Sequence, residues 1–309
     1  MKYVITGATS FIGLELIELL LSQHHYVVAV CRPDSKGLAK IPPGVEIVLA
    51  EMADYGDLHK DIASADVFVN LAWEGTGHDG RNEESIQHGN VIHTIAAMFA
   101  ADRMGCKVFV EAGSQAEYGT VTTMITENNE CRPFSSYGKA KLEVKNQLFK
   151  LSEQLGIKYI HLRIFSLYGE NDHPWTLIMS SIDKMLHNEP VDLSSCTQKW
   201  NFLYVADAVR QIVGLVDFAN KNPSFRHEIY NIASKDTREL RDFVLSIRTL
   251  CQSDSTLNFG KISPEHIVSL NPDVSKTEAV VEVIDTTRFE DIIKVIIQKK
   301  LQLIINDRL

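Results

Sequence analysis

The 309-residue chain has no apolar run long enough to span a membrane, which takes about 18 residues. Glu15 and Glu18 break the most apolar early stretch, Phe11 to Leu21, and Lys294, Lys299 and Lys300 break the C-terminal one. A secretory leader pattern is missing, because Met1-Lys2 runs straight into a strand-like stretch and a glycine loop. No stripe of Lys and Arg interleaves with aromatics. Acidic residues exceed basic ones, 40 against 31, so the molecule's field repels polyanions. Neither nucleic acid nor a membrane is an expected partner. The cysteines (Cys31, Cys106, Cys131, Cys196, Cys251) are scattered and form no C-x-x-C, as suits free thiols in a reducing cytoplasm. Histidines include the pair His24-His25 but no H-E-x-x-H, so no metal is expected. The phosphate-loop pattern G-x-x-x-x-G-K-[ST] is absent, which disfavours ATP chemistry. Hydrophobic residues at 45% and charged residues at 23% exclude a disordered or fibrous chain.

What is present is an alternation. Tyr3–Thr6, Val27–Val30, Val45–Leu49, Val67–Leu71, Lys107–Val110 and Tyr159–Ile164 read as short, largely apolar strands. Phe11–Ser22, Asn82–Met104 and Ser136–Leu155 between them read as helices, and Asp57–Ala63 as a short one. Continuous apolar strands separated by helices predict an α/β fold, a doubly wound parallel sheet covered on both faces, with ligands bound beyond the carboxyl ends of the strands. After Tyr168-Gly169 the rhythm becomes irregular, with prolines at 174, 190, 223, 264 and 272. A strand at Phe202–Val205, a helix at Asp207–Phe218 and a strand at Ile229–Ile232 are expected to return to the sheet. Residues 1–169 with 198–233 would then form the dinucleotide-binding unit, and 170–197 with 234–309 a smaller substrate-binding cap.

Thr6-Gly7-Ala8-Thr9-Ser10-Phe11-Ile12-Gly13 joins the first strand to the first helix. Gly7 suits the φ > 0 turn out of the strand, and Gly13 lets the helix pack close to the sheet. N–H groups at the helix start then face an anionic pyrophosphate. Gly7, Thr9, Ser10, Phe11, Ile12 and Gly13 are therefore candidate cofactor contacts. Ser10 replaces a middle glycine, so the turn is expected to be slightly displaced and the Ser10 hydroxyl to bond a phosphate. At the end of the second strand an acidic residue would bind the ribose 2′-hydroxyl of NAD, whereas cations accommodate the 2′-phosphate of NADP. The sequence there is Cys31-Arg32-Pro33-Asp34-Ser35-Lys36. Arg32, Ser35 and Lys36 suit a phosphate, although Asp34 weakens the case, and NADP(H) is favoured over NAD(H). Glu51 and Met52 follow the third strand, where an acidic side chain can accept from the adenine amino group. Asn70 and Ala72 end the fourth strand beside the cofactor.

Tyr137 and Lys141 are four residues apart on the third long helix and share a face. An adjacent ammonium favours the phenolate, and a fall of about three pKa units corresponds to roughly 4 kcal/mol of differential stabilisation. Ser114 follows the fifth strand, where its hydroxyl can hold a substrate carbonyl against Tyr137. The three occur in the order that a hydride-transfer site needs.

On Thr6–Gly13, Asn70-Leu71-Ala72, Ser114 with Tyr118-Gly119, Tyr137–Lys141, Leu162–Gly169, Phe202–Asp207 and Tyr230-Asn231-Ile232, the chain resembles extended short-chain dehydrogenases/reductases of the NAD-dependent epimerase/dehydratase group. The resemblance covers essentially the whole chain. It implies a Rossmann fold, a Ser/Tyr/Lys catalytic triad, a nicotinamide cofactor, a nucleotide-sugar substrate and a homodimer built on two long helices per subunit. It adds Leu71, Trp73, Asn90 and Ile164 to the cofactor residues, and Gln115 and Ser166 to the substrate side.

Departures within that group narrow the reaction. Ser114 is followed by Gln115-Ala116, where 4,6-dehydratases carry an Asp-Glu pair, and Ala116 stands where the reductases that make fucose nucleotides carry a cysteine. A 4-epimerase needs only the triad and a tightly held NAD, but Cys31-Arg32 departs from the acidic NAD signature. Trp200 stands where epimerases often carry an Arg for the substrate pyrophosphate. Lys199 is the candidate to replace that grip, and Trp200 either stacks on a base or sugar ring or packs beneath the cap. Leu71–Gly77 with Gly80-Arg81-Asn82 reads as a mobile glycine-rich loop over the site. With Leu167-Tyr168-Gly169 and Gln198–Tyr204, it is similar to NADPH-dependent 4-keto reductases of the CDP-abequose and CDP-paratose synthase type. The expectation is reduction of a 4-keto-6-deoxy sugar, with an NAD-dependent 4-epimerase as the alternative. A non-catalytic dinucleotide sensor is the rival of another class, and the intact Ser114, Tyr137 and Lys141 argue against it.

Overall fold

Each β-branched run in the first half becomes a strand, and each amphipathic stretch a helix. The computed structural model describes residues 1–77, 79–263, 268–282 and 286–306, so Pro264 lies outside the described residues. In chain order come β1 (Lys2–Thr6), α1 (Phe11–Ser22), β2 (Tyr26–Cys31), β3 (Glu46–Leu49), β4 (Val67–Asn70), α2 (Glu84–Arg103), β5 (Val108–Ser114), α3 (Ser136–Leu155) and β6 (Lys158–Ile164). The predicted short helix is a 3₁₀ helix over Met52–Lys60. Local signals fix the ends of α3: the Ser135 hydroxyl accepts from Gly138 N at 3.1 Å, and Gly156 closes the helix in the left-handed conformation at φ 71°.

With β10 (His227–Ile232), six of these strands form a seven-stranded parallel sheet in the order β10-β6-β5-β4-β1-β2-β3. The chain winds outward from β1 to β3, then crosses back to β4 and winds the other way. The crevice for a ligand therefore opens at the carboxyl ends of β1 and β4. Alternate residues fill the two faces. Tyr3 and Ile5 pack with Leu16, Ile17 and Leu20 of α1 and with Val209 and Ile212 of α5 (Val205–Lys221). Val4, Val28 and Phe68 pack with Met98 of α2 and Val144 and Leu148 of α3 on the other face.

The strand expected at Phe202–Val205 does not return to this sheet. It is β9 (Lys199–Tyr204), which runs parallel to β7 (Ser166–Tyr168) and antiparallel to β11 (Thr237–Glu239) in a separate three-stranded sheet. β10 occupies one edge of β6 from Tyr159 to Ile164 and β5 the other, so β6 has no free edge for β9. The chain also forms α4 (Leu177–Leu186), β8 (Val191–Asp192), α6 (Leu240–Leu250), β12 (Leu257–Asn258), α7 (Ser275–Glu278) and α8 (Phe289–Asn306), with β8 and β12 paired in parallel. Ile182 of α4, Phe243 and Ile247 of α6 and Ile293 and Ile296 of α8 share a core with Phe202 of β9. Among the described residues no helix is long and apolar enough to cross a membrane.

Candidate active site

The turn between β1 and α1 lies at the sheet's crevice. Gly7 sits at φ +63°, and a side chain there would lie 2.8 Å from Ala72 N. A Cβ at Gly13 would lie 2.4 Å from the Gly7 carbonyl oxygen, so backbone meets backbone in both places. Ser10 caps α1: its Oγ accepts from Gly13 N at 3.0 Å, leaving the hydroxyl proton for an incoming acceptor. The Phe11 and Ile12 N–H groups have no carbonyl to bind inside the helix, as at any helix start. A second side-chain bond, Thr9 Oγ1 to Ser35 Oγ at 2.9 Å, ties this turn to the loop after β2.

A cleft of about 1400 Å³ runs from this turn past Arg32, Asp34, Ser35 and Lys36 to Met52, Leu71, Ala72 and Trp73. Its chemistry fits a dinucleotide, with a helix start for the pyrophosphate, bare backbone at Gly7 and cations after β2. Glu51 is exposed at the start of the 3₁₀ helix, outside the cleft lining, and the next residue, Met52, turns inward to line it. Asn90 and Ile164 do not line it either. Asn90 is buried and binds the backbone of Glu74, and Ile164 packs at the α1–α5 face of the sheet.

Ser114 and Tyr137 face each other at the carboxyl end of β5, and Lys141 reaches the same strand at the Ala112 carbonyl. Ser114 is the last residue of β5; its Oγ accepts from Ala116 N at 3.1 Å and its N–H donates to Glu117 Oε1 at 2.8 Å. The Ser114 side chain sits close enough to the Tyr137 phenol to draw its pKa down.

The electrostatics differ from the expectation of a phenol acidified by Lys141. Burial pushes the Tyr137 phenol above its ordinary pKa; the Ser114 side chain and the Arg81 guanidinium, 4.2 Å from the ring centre, only partly offset this. Glu117 and Glu111 push in the same direction as burial. Lys141 reaches into β5 instead, donating to the Ala112 carbonyl and to Glu111 Oε1 at 3.3 Å, with the Trp73 ring centre 3.4 Å from its ammonium. Burial lowers the Lys141 pKa, and Glu111 opposes that.

The loop read as mobile is pinned. Trp73 Nε1 donates to Gln87 Oε1 at 2.9 Å, and Gln87 Nε2 donates to the carbonyls of Gly75 and Gly80 at 3.0 and 2.9 Å. The Asn90 side chain binds both the N–H and the carbonyl of Glu74, and Tyr137 N donates to the Arg81 carbonyl at 3.0 Å. The loop therefore roofs the triad. Sequence reasoning placed Arg81 in the loop over the site without its contact to Tyr137, and missed Gln87 and Glu111 as parts of the site. A signal was available for Gln87, a polar side chain on the inward face of α2 one turn before Asn90.

Behind Ser114 lies a buried charge cluster. Glu117 Oε1 lies 2.9 Å from His161 Nε2, and Oε2 accepts from Arg163 Nε at 2.9 Å. Against the upward push of burial, His161, Arg163 and the Ser114 N–H hold the Glu117 carboxyl at about 2. The expected substrate residues are dispersed. Gln115 opens the turn after Ser114, Ser166 starts β7 and Lys199 is exposed at the start of β9. Trp200 packs against Phe202, ring centres 6.2 Å apart, and among the described residues its buried Nε1 has no partner. Among the described residues no trio of His, Cys, Asp or Glu is placed to hold a metal ion.

Residues 3–233 match the NAD dependent epimerase/dehydratase family. The chain belongs to that family. A CDP-abequose synthase from Salmonella muenchen is 24% identical over 270 residues, covering 85% of each chain. A putative UDP-glucose 4-epimerase from Methanocaldococcus jannaschii is 30% identical over 259 residues, covering 78% of this chain and 80% of its own length. Among solved structures, a UDP-glucuronic acid 4-epimerase from Bacillus cereus, in complex with UDP-glucuronic acid and NAD, superposes with a TM-score of 0.84 at 22% identity, over 98% of this chain and 100% of its own. A UDP-glucose 4-epimerase from Thermotoga maritima gives 0.88 at 17% identity, over 98% and 100%. This epimerase/dehydratase enzyme thus has the fold of both solved structures from end to end.

Proposed function

We propose that this enzyme uses NADPH to reduce the 4-keto group of a 4-keto-6-deoxy sugar carried on a nucleotide. The observation that carries the reading is the end of β2 at the cleft. Cys31, not a carboxylate, ends β2, and Arg32 and Lys36 line the cleft, as suits a 2′-phosphate. Two further features agree. Gln115-Ala116 supply no acid–base pair for dehydration. The CDP-abequose synthase likeness covers most of the chain.

When bound, the reduced nicotinamide supplies a hydride to the carbonyl carbon. Ser114 orients the carbonyl and donates to the developing oxyanion. Tyr137 delivers the proton. Arg32, Ser35 and Lys36 would hold the 2′-phosphate, and Lys141 would reach the nicotinamide ribose only with the Trp73 ring that covers its ammonium moved aside. The reading carries with it a cytoplasmic homodimer. An NAD-dependent 4-epimerase is the second reading, favoured by the likeness to the putative UDP-glucose 4-epimerase.

Loss of NADPH absorbance with a panel of nucleotide 4-keto sugars tests the proposal. Net NADPH consumption supports it; tightly bound oxidised cofactor with no net NADPH use supports the epimerase. Tyr137→Phe should abolish turnover and spare NADPH binding. Arg32→Ala should weaken NADPH far more than NADH, and equal losses would refute the cofactor preference.

A further inference from the structure

Four polar side chains stand side by side in the middle of the apolar sheet. Thr6, Asn70, Glu111 and His161 are register partners across β1, β4, β5 and β6, and all are fully buried. Thr6 Oγ1 donates to Asn70 Oδ1 at 2.6 Å, and Asn70 Nδ2 donates to Glu111 Oε2 at 2.7 Å. That second bond leaves Oε1 for the Lys141 ammonium at 3.3 Å. An apolar residue at position 111 would serve the packing alone at lower solvation cost.

We propose that Glu111 is a positioning residue for the reaction: it is the counter-ion that keeps Lys141 an ammonium while that side chain is shut away from water beneath Trp73. The inference deepens the reading above, on which Lys141 serves the nicotinamide ribose. An amine stripped of solvent gives up its proton unless an anion holds it. Lys141 is 2% exposed. Facing it are the Glu111 carboxylate and the Ala112 carbonyl from β5, and the Trp73 ring from the loop after β4. Glu117, in the turn after β5, adds a more distant negative charge. His161 on β6 is driven toward its neutral form by burial, and Tyr137, one turn earlier on α3, stays protonated. Glu111 is the acid in contact with the ammonium: burial pushes its carboxyl up to about 7, Lys141 and the Asn70 amide pull it back, and the charge that holds Lys141 is complete only above that pH. The Asn70 amide fixes which oxygen faces the ammonium.

The test is Glu111→Gln, which keeps shape and an acceptor oxygen and removes the charge. In protein labelled with ¹³Cε-lysine, the Lys141 resonance is the one missing from Lys141→Arg. Its titration midpoint should move down by about one to two pH units in Glu111→Gln. The limb of kcat/KM that follows loss of the Lys141 proton should move with it, and Glu111→Asp should restore both. A folded Glu111→Gln protein that loses thermal stability with the midpoint unmoved overturns the proposal. If Glu111→Gln does not fold, the wild type decides: the Lys141 resonance should inflect a second time at the pH where the ¹³Cδ signal of Glu111 titrates, and its absence overturns the proposal. The resonance arm needs no substrate, so a protein inert toward keto sugars but with a shifted Lys141 refutes the reductase reading and leaves this inference standing.

Discussion

Glu117→Gln is a sharp test of the buried charge cluster behind Ser114. The carboxylate is fully buried and accepts from the Ser114 N–H at 2.8 Å and from Arg163 Nε at 2.9 Å, with His161 Nε2 at 2.9 Å. An amide nitrogen at either oxygen position would set a donor against a donor. Arg163, 2% exposed, would keep the Glu127 carbonyl at 3.2 Å, the Cys131 thiol at 3.0 Å and the Tyr118 ring at 4.3 Å, none of them an anion. Removing one partner of a buried ion pair costs about 3–5 kcal/mol. Linkage gives a similar figure. The Glu117 pKa is about 2 in the folded protein against an ordinary glutamate value of 4.5, and that difference is worth about 3 kcal/mol. Because the folded value is the lower one, this stabilisation is complete above the unfolded pKa and is lost as pH falls through the folded one. Urea unfolding of both proteins should therefore show a gap of about 3 kcal/mol at neutral pH, narrowing in acid as the wild-type carboxylate takes up its proton. A neutral-pH gap below about 1 kcal/mol, the scale of an ordinary hydrogen bond, would refute the reasoning.

Gly13→Ala should lower stability by about 1–3 kcal/mol and abolish dinucleotide binding, since its Cβ meets two backbone carbonyls that cannot yield without moving α1; thermal melts and equilibrium dialysis read both effects. Arg81→Ala removes a cation that lowers the Tyr137 pKa, so the phenol should titrate higher and the alkaline limb of the reductase profile should rise by up to about one pH unit. A limb that falls would contradict the placement of Arg81 over the ring.

The parts of the site legible in the sequence are those set by short-range geometry. A strand, a turn needing bare backbone and a helix start are neighbours along the chain, so the Gly7–Gly13 cradle was readable. Tyr137 and Lys141 lie one helical turn apart, and Ser114 ends a strand, so their convergence on β5 was readable too. The partners of β9 were not, because several strands compete for the same edges and local pattern does not rank them. Nor was the environment of Tyr137. Arg81 arrives from a loop distant along the chain, and Glu111 looked like the end of a strand because a charge interrupts the apolar run. β5 in fact continues through Glu111 to Ser114, with the charge satisfied from β4 and α3.

The row Thr6–Asn70–Glu111–His161 also bears on how the chain folds. Neighbouring strands of nearly uniform Val, Ile and Phe can slide past one another at small energetic cost, because one branched side chain fits much like the next. A slip of β5 by one residue would turn Glu111 to the opposite face of the sheet, against α1 and α5, without amide or ammonium. A slip by two would keep its face but part it from Asn70. Either misalignment strands a carboxylate in hydrocarbon, so the polar residues act as a locating key for the central strands before any substrate is met.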